Sequence, residues 1–234
     1  MGFRMASATI RLLSSMATRE VLAELAAQFQ RQSDCAVLLE SAGGVDVAKR
    51  VAAGEAVDVV VLAAKTIDDL IAAGRLSAAS RTDIVKSGIA VAVRAGAPVP
   101  DIGSAEALKR AVLQAATISY STGPSGVYLV GLFERWGIYD QIKPRIVQAP
   151  PGVPVGCLVA RGEVELGFQQ LSELINLPGI TLVGPMPPEL QSITTFTGAV
   201  SCASGQTGAA TALLAFLASP QSTAVIVRQG LQPA

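Results

Sequence analysis

Residues 9–62 read TIRLLSSMATREVLAELAAQFQRQSDCAVLLESAGGVDVAKRVAAGEAVDVVVL, and their rhythm decides the fold. Thr9–Leu13 is short and rich in branched apolar residues, as a strand is. Ala17–Gln30 then carries Val21, Leu22, Leu25, Ala26 and Phe29 at helical spacing, which makes one apolar stripe. Ala36–Glu40 reads as a second strand. Gly44–Ala53 reads as a second helix, closed by Gly54, a residue suited to the left-handed C-cap. Val57–Leu62 is almost unbroken apolar sequence, as expected of a strand covered on both faces. This β-α-β-α-β succession predicts an α/β fold with largely parallel strands.

Working outward, Ile67–Ala73 is a short helix before Gly74, and Ile89–Val93 is another strand. The turn-rich run Ala95-Gly96-Ala97-Pro98-Val99-Pro100-Asp101 marks a segment boundary. Ser104 is placed to N-cap a helix over Ala105–Ala115. After it the periodicity predicts a strand at Ala116–Ser121, a helix at Gly126–Trp136, a strand at Arg145–Val147 and a helix at Val153–Arg161. Short strands at Leu166–Gln169 and Thr181–Val183 lead to a second loop-forming stretch, Gly184-Pro185-Met186-Pro187-Pro188. An extended Ser192–Ser201 and two helices, Gln206–Leu217 and Gln221–Gln229, end the chain. The closing block is too small to fold alone and packs most economically on the first. The expected division is therefore a first lobe of residues 1–93 plus 190–234 and a second of residues 94–189, joined by two crossing strands.

Composition removes many functions. The 234 residues are 50% hydrophobic but only 4% aromatic, so the core is built from Ala, Val, Leu and Ile without need of a disulfide scaffold. The absence of His excludes Ser-His-Asp and Cys-His catalysis and any His-ligated metal. Three scattered Cys, read as small buried residues, cannot build a four-thiolate site; no metal is expected. Eighteen basic against 18 acidic residues, with no basic run, leave no footprint for nucleic acid. Mean hydropathy is high at +0.48. The apolar runs are nevertheless interrupted by Asp58 and Arg94, and Ala209–Ala218 is too short to span a bilayer, so no membrane span is expected. Met1-Gly2-Phe3-Arg4-Met5 precedes no apolar run of signal-peptide length, which places the chain in the cytoplasm as written and in the periplasm if a leader has been removed.

Three predicted strand-to-helix turns concentrate hydroxyls and glycine. They are Ser14-Ser15, Ser41-Ala42-Gly43-Gly44 and Ser121-Thr122-Gly123-Pro124-Ser125-Gly126. A helix start holds unsatisfied N–H groups and the positive end of the macrodipole, which favour an anion. In open α/β sheets such turns lie at the carboxyl ends of strands, where ligands bind. The same residues are also ordinary caps and turn formers. Gly123-Pro124-Ser125-Gly126 lacks the Gly-Lys-Ser/Thr ending of a phosphate loop, so neither a nucleotide nor another cofactor is expected. Tyr120 ends a strand beside the third turn, whereas Trp136 and Tyr139 read as packing. Gln169 and Gln170 are unusual in placing two amides at the end of an apolar strand.

Several of these segments together resemble the two-lobed periplasmic solute-binding proteins of the molybdate-binding-protein-like group, type II. They are Leu13-Ser14-Ser15-Met16, Glu40-Ser41-Ala42-Gly43-Gly44, Val57-Asp58-Val59-Val60-Val61, Gly88-Ile89-Ala90-Val91-Ala92-Val93-Arg94 and Gly123-Pro124-Ser125-Gly126-Val127-Tyr128. The resemblance implies two lobes, each a mostly parallel sheet flanked by helices, two crossover strands and a small anionic ligand in the cleft. It also implies an ABC transporter as partner if the chain is exported. Carried over by position, oxyanion-holding serines fall on Ser14 or Ser15 and on Ser41 or a neighbour, and backbone amides fall near Ser121–Ser125 and Val153. The family's tyrosine position is occupied here by Gln170. Lys86-Ser87-Gly88-Ile89 and Arg94 are more similar to members that take organic di- or tricarboxylates. Three activities follow as expectations. The first is a carboxylate-binding receptor, the second an aconitate isomerase-like enzyme, and the third a molybdate or tungstate receptor. An isomerase needs a proton acceptor and donor, for which Tyr120, Lys86, Asp46 and Glu173 are the candidates.

Overall fold

The computed structural model describes residues 8–150 and 152–234, so the reading of Met1–Met5 lies outside the described residues. By compactness the chain divides into Met1–Lys86 with Thr195–Ala234, and Ser87–Thr194. The first unit opens with β1 (Ala8–Ser15), α1 (Arg19–Gln32), β2 (Cys35–Ala42), α2 (Gly44–Ala52), β3 (Val59–Ala63) and α3 (Ala64–Ala72). β1 pairs in parallel with both β2 and β3. Each of the helices between these strands is a crossover of the kind parallel pairing requires. Along β3 the side chains alternate between two cores. Val59 and Val61 join Ile10, Leu22 and Leu25 under α1, while Val60 and Leu62 join Leu13, Val47 and Ile67 under α2 and α3. Both faces are covered, which is why the strand tolerates no polar residue between Val59 and Leu62.

β4 (Thr82–Arg94) runs out of this unit and into the other. It begins well before the Ile89 start expected from hydropathy. Its first half carries Asp83, Lys86 and Ser87, whose polarity breaks the apolar signal but not the pairing. The second unit contains α4 (Ala105–Gln114), β5 (Ile118–Tyr120), α5 (Pro124–Arg135), α6 (Tyr139–Ile142), α7 (Val155–Ala160), β6 (Leu166–Gln170), α8 (Leu171–Leu174) and β7 (Ile180–Pro185). β5 and β6 are parallel, and β4 is antiparallel to β6 and to β7. Ile89, Val91, Phe133 and Phe168 centre the larger core of this unit. On the opposite face Gly167 lies under α7, where a Cβ would come within 2.5 Å of Val159.

The chain returns through β8 (Ile193–Val200), antiparallel to β3, and ends in α9 (Thr207–Leu217), α10 (Thr223–Arg228) and the two-residue β9 (Gln232–Pro233) beside Val85 and Lys86 of β4. The division falls inside β4 and β8 rather than at the Pro/Gly-rich turns, because both strands continue through it.

Two readings need correction. Arg145–Val147 is not a strand: Lys143–Arg145 is a 3-10 turn, and Ile146 alone bridges Ile118. Pro144 removes a ladder donor, and the Arg145 guanidinium reaches the carbonyls of Leu113 and Ala115 at the C-terminus of α4. The Cys residues are not a buried set, since Cys35 and Cys157 are partly exposed and Cys202 is exposed. α6, α8 and β9 are absent from the sequence reading because they are too short to carry a periodic signal.

Candidate functional site

Register brings the first two serines together. β1 and β2 keep a constant offset from Ala8–Cys35 to Ser15–Ala42, which sets Ser14 beside Ser41. Their hydroxyl oxygens are 2.7 Å apart, and Ser14 is fully buried. Ser15, the next residue, projects to the other face. Its Oγ is 3.5 Å from the Thr18 hydroxyl, and its Cβ faces Gly44. Of the two adjacent serines, Ser14 therefore forms the pair with Ser41.

Immediately beyond, Gly43 precedes the first turn of α2, and no side chain caps this helix among the described residues. Asp46 lies in that turn and is exposed. α5 starts in the same way: Gly123 is at the N-cap, Pro124 follows, and no side-chain cap is present. Here Ser121 Oγ and Ser125 Oγ are 2.9 Å apart, and the Gly123 amide donates to Ser121 Oγ at 3.3 Å. Gly126 is required at its place, because a Cβ would stand 1.6 Å from the Ser121 carbonyl oxygen. Thr122 is exposed at the tip of the turn. α4 supplies the contrast. Ser104 Oγ accepts from the Ala107 amide at 3.2 Å, an ordinary cap that satisfies its own helix. The serines of the other turns pair with one another instead, and leave the helix-start amides of α2 and α5 uncapped by side chains.

The amides of β6 are buried. Gln169 Oε1 accepts from the Gly156 amide at 3.2 Å, and its Nε2 donates to Glu173 Oε1 at 2.7 Å. Gln170 Nε2 donates to Thr194 Oγ1 at 3.0 Å. Sequence reasoning missed Glu189, which accepts from the Ala105 amide, and Gln191, which holds both backbone groups of Ile89. Both follow the 184–188 turn without a hydroxyl or glycine of their own, and their partners lie 84 and 102 positions away, so nothing local marks them.

Other candidates are placed differently. Tyr120 is a core residue: its ring packs 6.2 Å from Phe133, and burial, with the adjoining Tyr139 hydroxyl, pushes its pKa up to about 12. At neutral pH it holds its proton. The Val153 amide donates to the Pro150 carbonyl at 3.0 Å and is engaged in that turn. Lys86 is half-buried in β4, where it pairs with Gln232, and its side chain makes no hydrogen bond or ion pair with a described residue. Arg94 pairs with Ile180 at the C-terminal end of β4, whereas Gln170 of β6 pairs with Ile89, nearer the middle of β4. No group of three metal-ligating side chains occurs among the described residues, and no single described helix is long and apolar enough to cross a membrane.

Known proteins share both sequence and architecture with this chain. An aconitate isomerase from a Pseudomonas species is 38% identical over 233 aligned positions, covering 96% of this chain and 88% of the relative. The periplasmic molybdate-binding protein of Azotobacter vinelandii superposes with a TM-score of 0.79 at 20% identity, covering 95% of this chain and 98% of that one. A tungstate ABC transporter structure from Geobacter sulfurreducens gives 0.74 at 17% identity over 94% and 98%. At such identities the two structures establish the shared fold alone. The model of bacterial extracellular solute-binding proteins matches residues 10–232, and the chain belongs to that family.

Proposed function

We propose that this protein binds a small multivalent organic anion, a di- or tricarboxylate of the aconitate class, on uncharged donors. The observation that carries the reading is the pairing of serines beside uncapped helix starts in each unit. Ser14 and Ser41 meet at 2.7 Å before α2, and Ser121 and Ser125 meet at 2.9 Å at the start of α5. A hydroxyl pair uses one hydrogen internally. With Ser14 donating to Ser41, the Ser41 hydrogen is left to a ligand, whereas with Ser41 donating, the Ser14 hydrogen goes to the Ser15 carbonyl at 3.3 Å. Backbone N–H groups at a helix start add donors and a favourable field for negative charge. The preference for a carboxylate over a metal oxyanion is supported by the 38% identical aconitate isomerase and by an amide at residue 170 in place of a phenol.

A second reading, isomerisation of cis- to trans-aconitate on the same donors, is favoured by that relative. Among the candidate bases, Glu173 is a carboxylate that accepts a hydrogen bond from Gln169. The family and the transporter neighbour support the alternative use of the same binding step, delivery of the anion to an ABC transporter after export.

Two experiments separate these. Melting curves with citrate, cis-aconitate, trans-aconitate, malate, molybdate and sulfate are expected to show stabilisation by the carboxylates. At a ligand concentration of about 100 times Kd this amounts to about 2.7 kcal/mol. Stabilisation by molybdate alone rejects the carboxylate reading. Appearance of trans-aconitate from cis-aconitate, followed by NMR, establishes the enzyme; binding without turnover leaves a receptor.

A further inference from the structure

β1 and β2 are covered unequally on their two faces. On one face α1, 14 residues and about 21 Å long, packs over Ile10, Leu12 and Val37. On the other, α2 has only 9 residues, about 14 Å, and packs over Leu13 and Ala42 before the chain turns at Gly54 and returns to β3. The N-terminal half of that second face is left bare. Thr9, Arg11, Leu38 and Glu40 are exposed on it, and Leu38 is 59% exposed although it lies in the middle of a strand. A groove of about 390 Å³ is lined here by Arg11, Leu38, Glu40 and Glu55.

The charges on this face are only partly paired. Arg11 makes no side-chain hydrogen bond or ion pair among the described residues. Glu40 gives Oε1 to Arg50 at 2.5 Å, and Arg50 is also held by both oxygens of Glu55. Register puts Leu38 beside Arg11, with Glu40 one side chain further along the same face of β2. Strands lie about 4.8 Å apart, and a two-residue advance is about 6.7 Å. A two-fold axis lying in the plane of the face can therefore set Arg11 of one copy against Glu40 of another. The same axis brings Leu38 to within about 3 Å, measured along the face, of its own counterpart. The patch is self-complementary in charge and in its apolar centre. The neighbouring edge of β2 is less available, because Gln30 and Ser33 already engage the amides of Val37 and Cys35.

We propose that the bare half of the β1–β2 face is the contact of a weak homodimer, formed by Leu38 against Leu38 and by two Arg11–Glu40 ion pairs across a two-fold axis. The proposal is independent of the anion reading, since Ser14 and Ser41 occupy the opposite-facing positions of the same strands. A face two strands wide belongs with contacts below about 1,200 Å², so the dimer forms with concentration rather than as an obligate unit.

Sedimentation velocity of the full chain over a concentration series tests this. Wild type is expected to pass from monomer to dimer as concentration rises. Arg11→Glu and Glu40→Arg each set like charges together at both symmetric contacts, and each should weaken association by at least about tenfold. An equimolar mixture of these two variants makes both contacts complementary again and should recover a heterodimer, which separates a lost contact from a damaged fold. Leu38→Ser, a change at an exposed position, should weaken the dimer without lowering Tm. A wild type that stays monomeric throughout overturns the proposal. So does association that neither charge variant alters, the result expected of pairing through the β2 edge, and so does a mixture that associates no better than its components.

Discussion

Ser14 shows how much one hydroxyl can be asked to do in this fold. It is fully buried, 2.7 Å from Ser41 Oγ, and its strand position leaves no water to replace that partner. Ser14→Ala should therefore lower stability by about 1 kcal/mol, the net worth of a hydrogen bond. It should weaken anion affinity more, by about tenfold, because a donor pair is reduced to one. Titration of the folded variant checks this, and unchanged affinity removes the pair from the site. Gly126 is constrained for a steric reason. Gly126→Ala places a methyl 1.6 Å from the Ser121 carbonyl oxygen, so the turn must open. A loss of about 1–3 kcal/mol is expected from the forced shift, together with loss of ligand-induced stabilisation. Retention of the ligand response would falsify the role given to this turn.

At the scale of elements, α4 provides the control. Ser104→Ala removes a side-chain cap and should cost about 1 kcal/mol, with no effect on ligand affinity, whereas the uncapped starts of α2 and α5 should respond in the opposite sense. Hydrogen exchange at Ala107, whose amide Ser104 holds, reports the loss directly. The outer edge of β2 is closed in a different way. Gln30 Oε1 accepts from the Val37 amide at 2.8 Å, and the weaker Ser33 Oγ contact reaches the Cys35 amide at 3.4 Å. A bare strand edge invites pairing with another chain. Gln30→Ala should accordingly increase self-association, measured by light scattering, with little change in ligand affinity. The helices and strands themselves were largely legible: α1, α2, β3 and α4 follow from apolar spacing, terminal glycines and one cap. The first half of β4 was not, because Asp83, Lys86 and Ser87 are held in a strand by pairing with distant residues. The 143–145 turn was misread because its Arg145 answers to carbonyls some 30 positions earlier in the chain.

For the molecule as a whole, pH offers a test of both ends of the stability profile. Tyr120 has its pKa raised from 10.0 to about 12, so the folded chain holds this proton where the unfolded chain has released it. Its contribution is complete below the unfolded value and is lost as pH rises through the folded one. The melting temperature should fall between these values, and Tyr120→Phe should flatten that limb; equal slopes would dismiss the assignment. On the acid side, hydrogen bonds from Arg50 hold Glu40 and Glu55 below their ordinary value of 4.5. That contribution is present above 4.5 and disappears as pH falls through the lowered values, and Arg50→Gln should remove it. Both carboxylates face solvent, so the effect is expected to be small. Hydrophobic periodicity and turn glycines are local properties, and they were enough to read the α/β succession and the donor-rich turns directly from the chain. Which serine meets which and why the Tyr120 hydroxyl is withdrawn into a core depend on strand register and burial. Those are set by residues far apart in sequence, and only packing brings them within hydrogen-bonding distance.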